Sequence, residues 1–322
     1  MFDAIGVLAS STSSTALDLD VSLAMWAGLS LVVVAMLAID LVVFARHHAP
    51  SWRESAVWSL VWLLVALAFG AAWWAWQGSE AGSQYFAGYL LERSLSLDNI
   101  FVFAVILGYF AVPPVVASTV LAWGIALALA LRVVFILIGA ALLDSFHATF
   151  YVFGVLLLYT AYKLATQHGA EIEPEHNPAL KVLRKRVAMT DDYEGEKLFV
   201  RRAGRRMATP LLAVFLVVAT TDIIFAVDSI PAIFAVTQES FIVFAANAFA
   251  MLGLRALYFL LVGAMDRFVY LSQGLALVLA FIGVKMLLID VWHPPIWVSL
   301  AVIAGVLTAT AALSVRAAPK AR

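Results

Sequence analysis

The segment ATPLLAVFLVVATTDIIFAVDSIPAIFAVT, residues 208–237, decides the class of fold. It is apolar enough to cross a bilayer as a single helix, which needs about 20 residues. It nevertheless contains two carboxylates, Asp222 and Asp228, six residues apart. An ionised group in hydrocarbon is costly unless it is paired, hydrated or bound to an ion. The segment therefore indicates a membrane protein with ionisable groups in its membrane-embedded interior.

The composition extends this conclusion to the whole chain. Of the 322 residues, 64% are hydrophobic and 13% are charged, whereas soluble domains carry roughly 25% charged residues. The mean hydropathy is +0.98. We expect an all-α polytopic membrane protein with about nine transmembrane helices. The absence of cysteine excludes disulfides and thiolate metal sites, and nothing indicates binding of nucleic acid.

Breaks between the apolar runs predict how the chain is organised. The only long connection is polar and basic, and we expect part of it to form an interfacial amphipathic helix. The predicted organisation is a disordered extracytoplasmic leader (1–20), two accessory transmembrane helices (21–77), a three-helix unit (88–167), a cytoplasmic loop (168–208), a second three-helix unit (209–290), a last transmembrane helix (296–315) and a cytoplasmic tail (316–322).

The distribution of cations predicts the orientation. Fifteen of the 20 Lys and Arg residues fall in segments that are cytoplasmic if the N-terminus is outside, and the other five lie inside spans. Because cytoplasmic loops of membrane proteins are enriched in Lys and Arg, the N-terminus should be outside and the C-terminus cytoplasmic.

The two three-helix units carry matching charges. The first unit has an Asp, an Arg and a Lys at spacings of 34 and 31 residues, and the second has the same types at spacings of 33 and 30. A unit of three spans must be inverted when it is repeated, and inverted repeats with a midplane site are typical of secondary transporters. These residues are Asp98, Arg132 and Lys163 in the first unit and Asp222, Arg255 and Lys285 in the second.

The acidic residues come in pairs six residues apart, Glu92 with Asp98 and Asp222 with Asp228. On a straight helix this spacing means about 9 Å of rise and about 120° of rotation. The two carboxylates would therefore line successive levels of a cavity, unless a local break brings them together. Pro231 supplies a reason for such a break, because it cannot donate to the carbonyl four residues earlier.

Carboxylates combined with neutral oxygen donors suit hard divalent cations such as Mn²⁺, Mg²⁺ or Ca²⁺. The predicted metal ligands are Glu92, Asp98, Asp222 and Asp228. The predicted supporting groups are Asn99, the freed carbonyl of Val227, Ser229, Asn247 and Asp40, and the predicted counter-charges are Arg132, Arg255, Lys163 and Lys285.

Structural alternatives stay open for these residues. Each acid could pair with a buried base and lock helices together, Asp98 with Arg255 for example. The lysines could extend towards the interface, and Asn247 could join helices by hydrogen bonding. Asp40 lies near the cytoplasmic end of the first span, outside both units, and we expect it to be an accessory or vestibule acid.

Four segments carry a resemblance to a known family. In LERSLSLDNIFVF (91–103), TDDYEGEKLFVRR (190–202), residues 208–237 and NAFAMLGLRALYFLL (247–261), the chain resembles the TerC/Alx family of bacterial inner-membrane proteins. The resemblance implies paired three-helix repeats, membership of the lysine-exporter superfamily and export of Mn²⁺ from the cytoplasm. The acidic motif positions of the family fall on the four acids chosen above. The family is also associated by name with tellurium resistance.

The expected function is secondary transport of Mn²⁺ out of the cell by alternating access, with protons as the exchanged ion. No nucleotide-binding motif is present, and we expect no cofactor beyond the transported ion and no enzymatic activity. The expected partners are Mn²⁺ or another hard divalent cation, protons, the lipid bilayer and proteins that bind the loop 168–208. The alternative is a non-transporting membrane scaffold linked to tellurite resistance or to metal supply for exported proteins.

Overall fold

A computed structural model describes residues 21–44, 50–166, 175, 177–202, 204–262, 270–292 and 294–317. The predicted leader 1–20 and the end of the predicted tail lie outside these residues. The described part consists of α1 (Leu23–Phe44), α2 (Trp52–Tyr109), α3 (Pro114–Ser145), α4 (Ala148–Thr166), α5 (Pro178–Arg186), β1 (Phe199–Arg202), β2 (Arg205–Ala208), α6 (Pro210–Phe234), α7 (Ser240–Met251), α8 (Leu254–Leu261), α9 (Leu271–Leu287) and α10 (Ile296–Ala317).

The predicted class, an all-α polytopic membrane protein, is confirmed. Within the described residues, six helices are long and apolar enough to cross a membrane, namely α1, α2, α3, α4, α6 and α10. The bent pair α7–α8 adds a seventh if it is one span, and α9 is apolar but shorter. The number of nine crossings and the inverted repeat stay predictions.

The chain reverses direction at Gly78, which divides α2 into two helical parts. This residue has a φ of 92° and a ψ of 174°, which interrupts the helical backbone. Beyond it, the hydroxyl of Tyr85 donates to the carbonyl of Ala66 at 3.0 Å, although a straight helix would separate these residues by about 28 Å. Gly82 permits the close return, since a Cβ there would lie 2.6 Å from the Cβ of Trp74. We call the parts before and after Gly78 α2a and α2b.

Small residues also allow close packing between α4 and α9. Helix α4 packs extensively against α9, and Gly154 faces Gly283 at their contact. A Cβ on Gly154 would lie 3.0 Å from the carbonyl oxygen of Gly283. Glycine allows two helix backbones to approach closely, which is how transmembrane helices gain van der Waals contact.

The segment between α4 and α6 contains a short helix and a hairpin. Helix α5 begins at Pro178, and Asn177 caps it by accepting from the N–H groups of Ala179 and Leu180. Leu180 is fully buried while the basic residues of the last turn are exposed, so an amphipathic helix is present here as expected. The antiparallel hairpin of β1 and β2 was not expected, because two Arg-rich strands of four residues give almost no alternating apolar signal.

Candidate cation site

A buried ion pair joins α2b to α3. The Nη1 atom of Arg132 donates a hydrogen bond to Oε1 of Glu92, and the two side chains are 1% and 0% exposed. The second carboxylate oxygen of Glu92 has no hydrogen-bond partner among the described residues, and neither do Nε and Nη2 of Arg132. The pair is therefore matched in charge but incompletely hydrogen-bonded, which is costly for buried groups.

Asp222 on α6 completes a cluster with this pair. It interacts electrostatically with both Arg132 and Glu92, and it is almost fully buried. Neither of its carboxylate oxygens has a hydrogen-bond partner within the described part of the chain. Two carboxylates and one guanidinium give a net charge of −1 when all three groups are ionised. We call Glu92, Arg132 and Asp222 the central cluster.

The remaining two acids lie on opposite sides of the central cluster. Helices α2b and α6 run in opposite directions, since the C-terminal end of α2b and the N-terminal end of α6 line one cavity beside α5. Asp98 lies six residues from Glu92 towards that end, and Asp228 lies six residues from Asp222 away from it. Each step is about 9 Å along a helix, so the acids occupy three successive levels.

Asp228 has its own partners on α4. The hydroxyl of Thr160 donates to Oδ1 of Asp228 at 2.8 Å, and Lys163 acts on the same carboxylate electrostatically. Thr160 and Lys163 are three residues apart and therefore lie on one face of α4. Asp228 is thus a partly neutralised acid separate from the central cluster, and Lys163 is a counter-charge to it.

The prediction of a helix break at Pro231 is wrong. Helix α6 continues through this proline to Phe234, because the loss of one backbone hydrogen bond does not by itself end a well-packed helix. The side chain of Val227 is 40% exposed, so this position lies away from the buried core. Ser229 is buried, and its hydroxyl has no hydrogen-bond partner among the described residues.

Asp98 is half-buried on α2b and makes no hydrogen bond or ion pair with any residue that the structure describes. The neighbouring Asn99 is buried. Asp98 therefore lies at the level nearest the α5 cavity, and no base among the described residues is paired with it.

Arg255 pairs with Asp40 and not with Asp98. Its Nη2 atom lies 2.8 Å from Oδ2 of Asp40 and also donates to the backbone carbonyl of Asp40. The suggested pair of Asp98 with Arg255 is therefore wrong, and Asp40 links α1 to α8 as a structural partner. Asn247 on α7 is buried, and its Nδ2 has no partner among the described residues.

Lys285 holds the far end of α6. Its ammonium group donates to the carbonyl of Ala235 at 3.1 Å and to the hydroxyl of Ser299 at 3.2 Å. Ala235 follows the last residue of α6, where helix carbonyls lack intrahelical partners. Lys285 therefore caps a helix end and bridges to α10, which is a structural role.

The structure does not bring the four predicted ligands to one point. Among the described residues, no three His, Asp or Glu side chains lie close enough to share a metal ion. Glu92 and Asp222 come together, whereas Asp98 and Asp228 lie on either side of them. The reason is the unbroken geometry of α2b and α6, in which six residues separate two carboxylates in both height and direction.

Two residues of the site were missed from the sequence. Thr160 is a hydroxyl residue in an apolar span. The sequence feature that could have identified it is its position three residues before Lys163, which places both side chains on one face of the helix. Arg93 donates to backbone carbonyls of α7 and the turn after it, and its signal was a cation inside a span beside Glu92. Neither partner could be identified from sequence, because both contacts join residues more than 60 positions apart.

Comparison with known proteins gives a consistent result. Residues 77–322 match the family model described as "Integral membrane protein TerC family". This match covers α2b, the central cluster and every element that follows it.

Individual relatives match almost the whole chain. An "Uncharacterized membrane protein STKORF319" of Myxococcus xanthus is 48% identical over 287 residues, which cover 89% of this chain and 90% of the relative. A "Putative membrane-bound redox modulator Alx" of Salmonella typhi is 46% identical over 296 residues, 89% and 92% of the two chains. The protein of the same name from Escherichia coli strain K12 is 44% identical with the same coverage. No solved structure matches the chain significantly.

Proposed function

The chain belongs to the TerC family of integral membrane proteins, and from this premise we propose that it is a secondary transporter that exports a divalent metal cation, Mn²⁺ first, from the cytoplasm. The transported ion is its substrate, and the protein needs no other cofactor and is not an enzyme. It resides in the bacterial inner membrane, with the N-terminus outside and the C-terminus in the cytoplasm.

One observation carries this proposal, namely the buried and unpaired carboxylate of Asp222 in the central cluster. Both of its oxygens lack partners among the described residues, and Glu92 beside it keeps one oxygen free while Arg132 supplies only one positive charge. A carboxylate in a low-dielectric interior that lacks hydrogen-bond donors and water is stabilised by a cation or a proton. The cluster therefore has the charge deficit that a transported cation would fill.

The chemistry of the donors favours a hard cation. Carboxylate oxygens with nearby hydroxyl and amide groups suit Mn²⁺, Mg²⁺ and Ca²⁺, and the chain offers no thiolate for softer metals. Within this group, the resemblance to the TerC/Alx family selects Mn²⁺. The word "redox" in the names of two relatives has no counterpart in thiol chemistry here, because the 322 residues include no cysteine.

The three levels of acid suggest the path of the ion. The cation would meet Asp98 from the cytoplasmic side, pass to Glu92 and Asp222, and leave past Asp228, while protons replace it on the vacated carboxylates. Rocking of the two three-helix units would change the side from which the central cluster is reached. A path of successive sites fits the separation of the acids better than one site with four carboxylate ligands.

The alternative is a scaffold that binds other proteins through the loop 168–208, in relation to tellurite resistance or metal supply. In the described part of this loop, Tyr193 donates to the carbonyl of Phe110, and Thr119 donates to Glu196. These contacts dock the loop on the ends of α2b and α3. A docked loop is compatible with both functions, so flux must separate them.

The test is Mn²⁺ uptake into proteoliposomes that contain the purified protein. Wild-type protein should give flux, and both Asp222→Asn and Asp98→Asn should abolish most of it. Asp144→Asn is the matched control, since Asp144 is an exposed acid at the end of α3. Absence of flux in the wild type would favour the scaffold, and normal flux in both variants would remove these acids from the mechanism.

A further inference from the structure

A break divides the span formed by α7 and α8. Helix α7 ends at Met251, α8 begins at Leu254, and the two axes differ by 41°. Gly253 lies between them with a φ of 82°, a left-handed conformation that side chains with a Cβ rarely adopt. A Cβ on Gly253 would also lie 2.7 Å from Cδ1 of Trp62 on α2a. The break therefore depends on glycine at position 253, because both the backbone conformation and the space beside Trp62 exclude a side chain there.

A break in a membrane helix leaves carbonyl groups without intrahelical partners. In hydrocarbon such groups must find another donor, because no water is available. Arg93 on α2b is that donor here. Its Nη1 atom donates to the carbonyl of Ala250 at 2.8 Å and to that of Leu252 at 3.4 Å. A cation at this place also interacts favourably with the C-terminal dipole of α7.

The position of Arg93 connects the break to the central cluster. Arg93 follows Glu92 directly, so the two side chains leave α2b about 100° apart. Glu92 faces Arg132 on α3, whereas Arg93 faces the end of α7. On the other side of the break, Arg255 is fixed to Asp40 on α1. One turn of α2b therefore carries both Glu92, a member of the central cluster, and Arg93, the donor to the free carbonyls at the break.

We propose that Arg93 is a positioning residue, which fastens the α7–α8 break to the helix that carries Glu92 so that the two move as one unit. This inference rests on the proposed transport function only for its second half, the shared movement. The first half, the fastening of the break by hydrogen bonds, is independent of what the protein transports.

The fastening is tested by thiol labelling, for which the absence of native cysteine gives a clean background. Leu252→Cys is introduced with Arg93 intact, with Arg93→Met and with Arg93→Lys, and its reaction with N-ethylmaleimide is timed. Arg93→Met should label about ten times faster, because a hydrogen bond from a charged donor is worth about that factor in the closed state. Arg93→Lys should label slowly, since a single nitrogen makes both contacts and an ammonium can replace it.

The control site for labelling is Leu157→Cys, a fully buried position on α4, which packs mainly against α9. Its rate should be the same with Arg93 and with Met at position 93. Equal acceleration at both sites would show general loosening and overturn the proposal. Fast labelling of Leu252→Cys in the lysine variant would also overturn it, as would no acceleration in the methionine variant.

The shared movement is tested by Mn²⁺ flux. Arg93→Met should lower the maximal rate about tenfold while KM changes little, because the cation ligands remain in place; Arg93→Lys should restore most of the rate. A raised KM with an unchanged maximal rate, or wild-type flux in Arg93→Met, would refute the coupling. If the wild-type protein gives no Mn²⁺ flux, the proposed function fails, and the labelling experiment still decides whether Arg93 holds the break.

Discussion

Arg132 Nη1 donates to Glu92 Oε1 where both side chains are at most 1% exposed, and this contact joins α2b to α3. The same guanidinium acts on Asp222 of α6, so one cation serves two buried acids. The contact therefore joins two helices and also belongs to the central cluster. It keeps the central cluster intact while leaving it one positive charge short.

The first prediction concerns the removal of this cation. Arg132→Met should destabilise the protein by about 3–5 kcal/mol, because it leaves buried carboxylates uncompensated. The double variant Arg132→Met with Glu92→Gln should recover part of this loss, since one of the two charges is then removed. The measurement is unfolding in detergent followed by tryptophan fluorescence. A double variant less stable than Arg132→Met alone would contradict the assigned pairing.

The class of fold could be predicted from the sequence because hydrophobic length alone decides it. Apolar runs of bilayer length and acids inside them are visible without coordinates. The pairing of charges was not predictable, since Arg132 and Glu92 are 40 residues apart and Arg255 and Asp40 are 215 apart. Nearly equal spacing in the two units suggested equal roles for Arg132 and Arg255. Their partners differ, because Asp40 on α1 lies outside both units.

The second prediction concerns the acid on the far side of the cluster. Thr160→Val removes the hydroxyl that donates to Asp228 at 2.8 Å with little change in volume. If Asp228 lies on the exit path, a freed carboxylate should hold the cation longer, and the maximal Mn²⁺ flux should fall several-fold. Thr160→Ser should keep wild-type flux, because the donor remains.

Thr166→Val is the matched control for this prediction. Thr166 lies on the same helix and is exposed, and among the described residues its hydroxyl donates to the carbonyls of Tyr162 and Lys163. Flux reduced to the same extent in both valine variants would show an effect of hydroxyl loss on α4 in general. Unchanged flux in Thr160→Val would remove this hydrogen bond from the transport path.

The third prediction concerns Gly253. Gly253→Ala should cost roughly 1 kcal/mol for its positive φ and more for the contact with Trp62, which would lie 2.7 Å from the new Cβ. Trp62→Leu should relieve the second cost and not the first. The double variant should therefore be less damaged than the sum of the two single variants in thermal unfolding. Strict additivity would show that Trp62 does not limit space at the break.

The breaks in the helices were only partly visible in the sequence. Pro231 was expected to interrupt α6 and does not, whereas Gly78 and Gly253 interrupt their helices with positive φ angles. A proline removes one hydrogen bond, which tertiary packing can compensate. A residue in the left-handed conformation redirects the chain. The presence of a glycine does not by itself predict this conformation, because most of the described glycines have no positive φ. The partners that hold each break are remote in sequence.

The last prediction concerns pH and the docking of the loop. The hydroxyl of Tyr193 donates to the carbonyl of Phe110 at the end of α2b, at 2.8 Å, and burial raises the pKa of Tyr193 to about 12. An unfolded tyrosine has a pKa of about 10. Because the folded pKa is the higher one, the folded state binds more protons between these values, and stability must fall as pH rises from about 10 to about 12. Below pH 10 this contribution is fully present.

Tyr193→Phe keeps the ring and removes the titrating group. Its stability should be lower than that of the wild type below pH 10, and the difference should shrink as pH rises towards 12, because a tyrosinate cannot donate to the Phe110 carbonyl. The measurement is the unfolding midpoint of both proteins in detergent at several pH values, and the shared titration of the other tyrosines cancels in the difference. A difference that stays constant over this range would mean that Tyr193 does not dock the loop through its protonated hydroxyl.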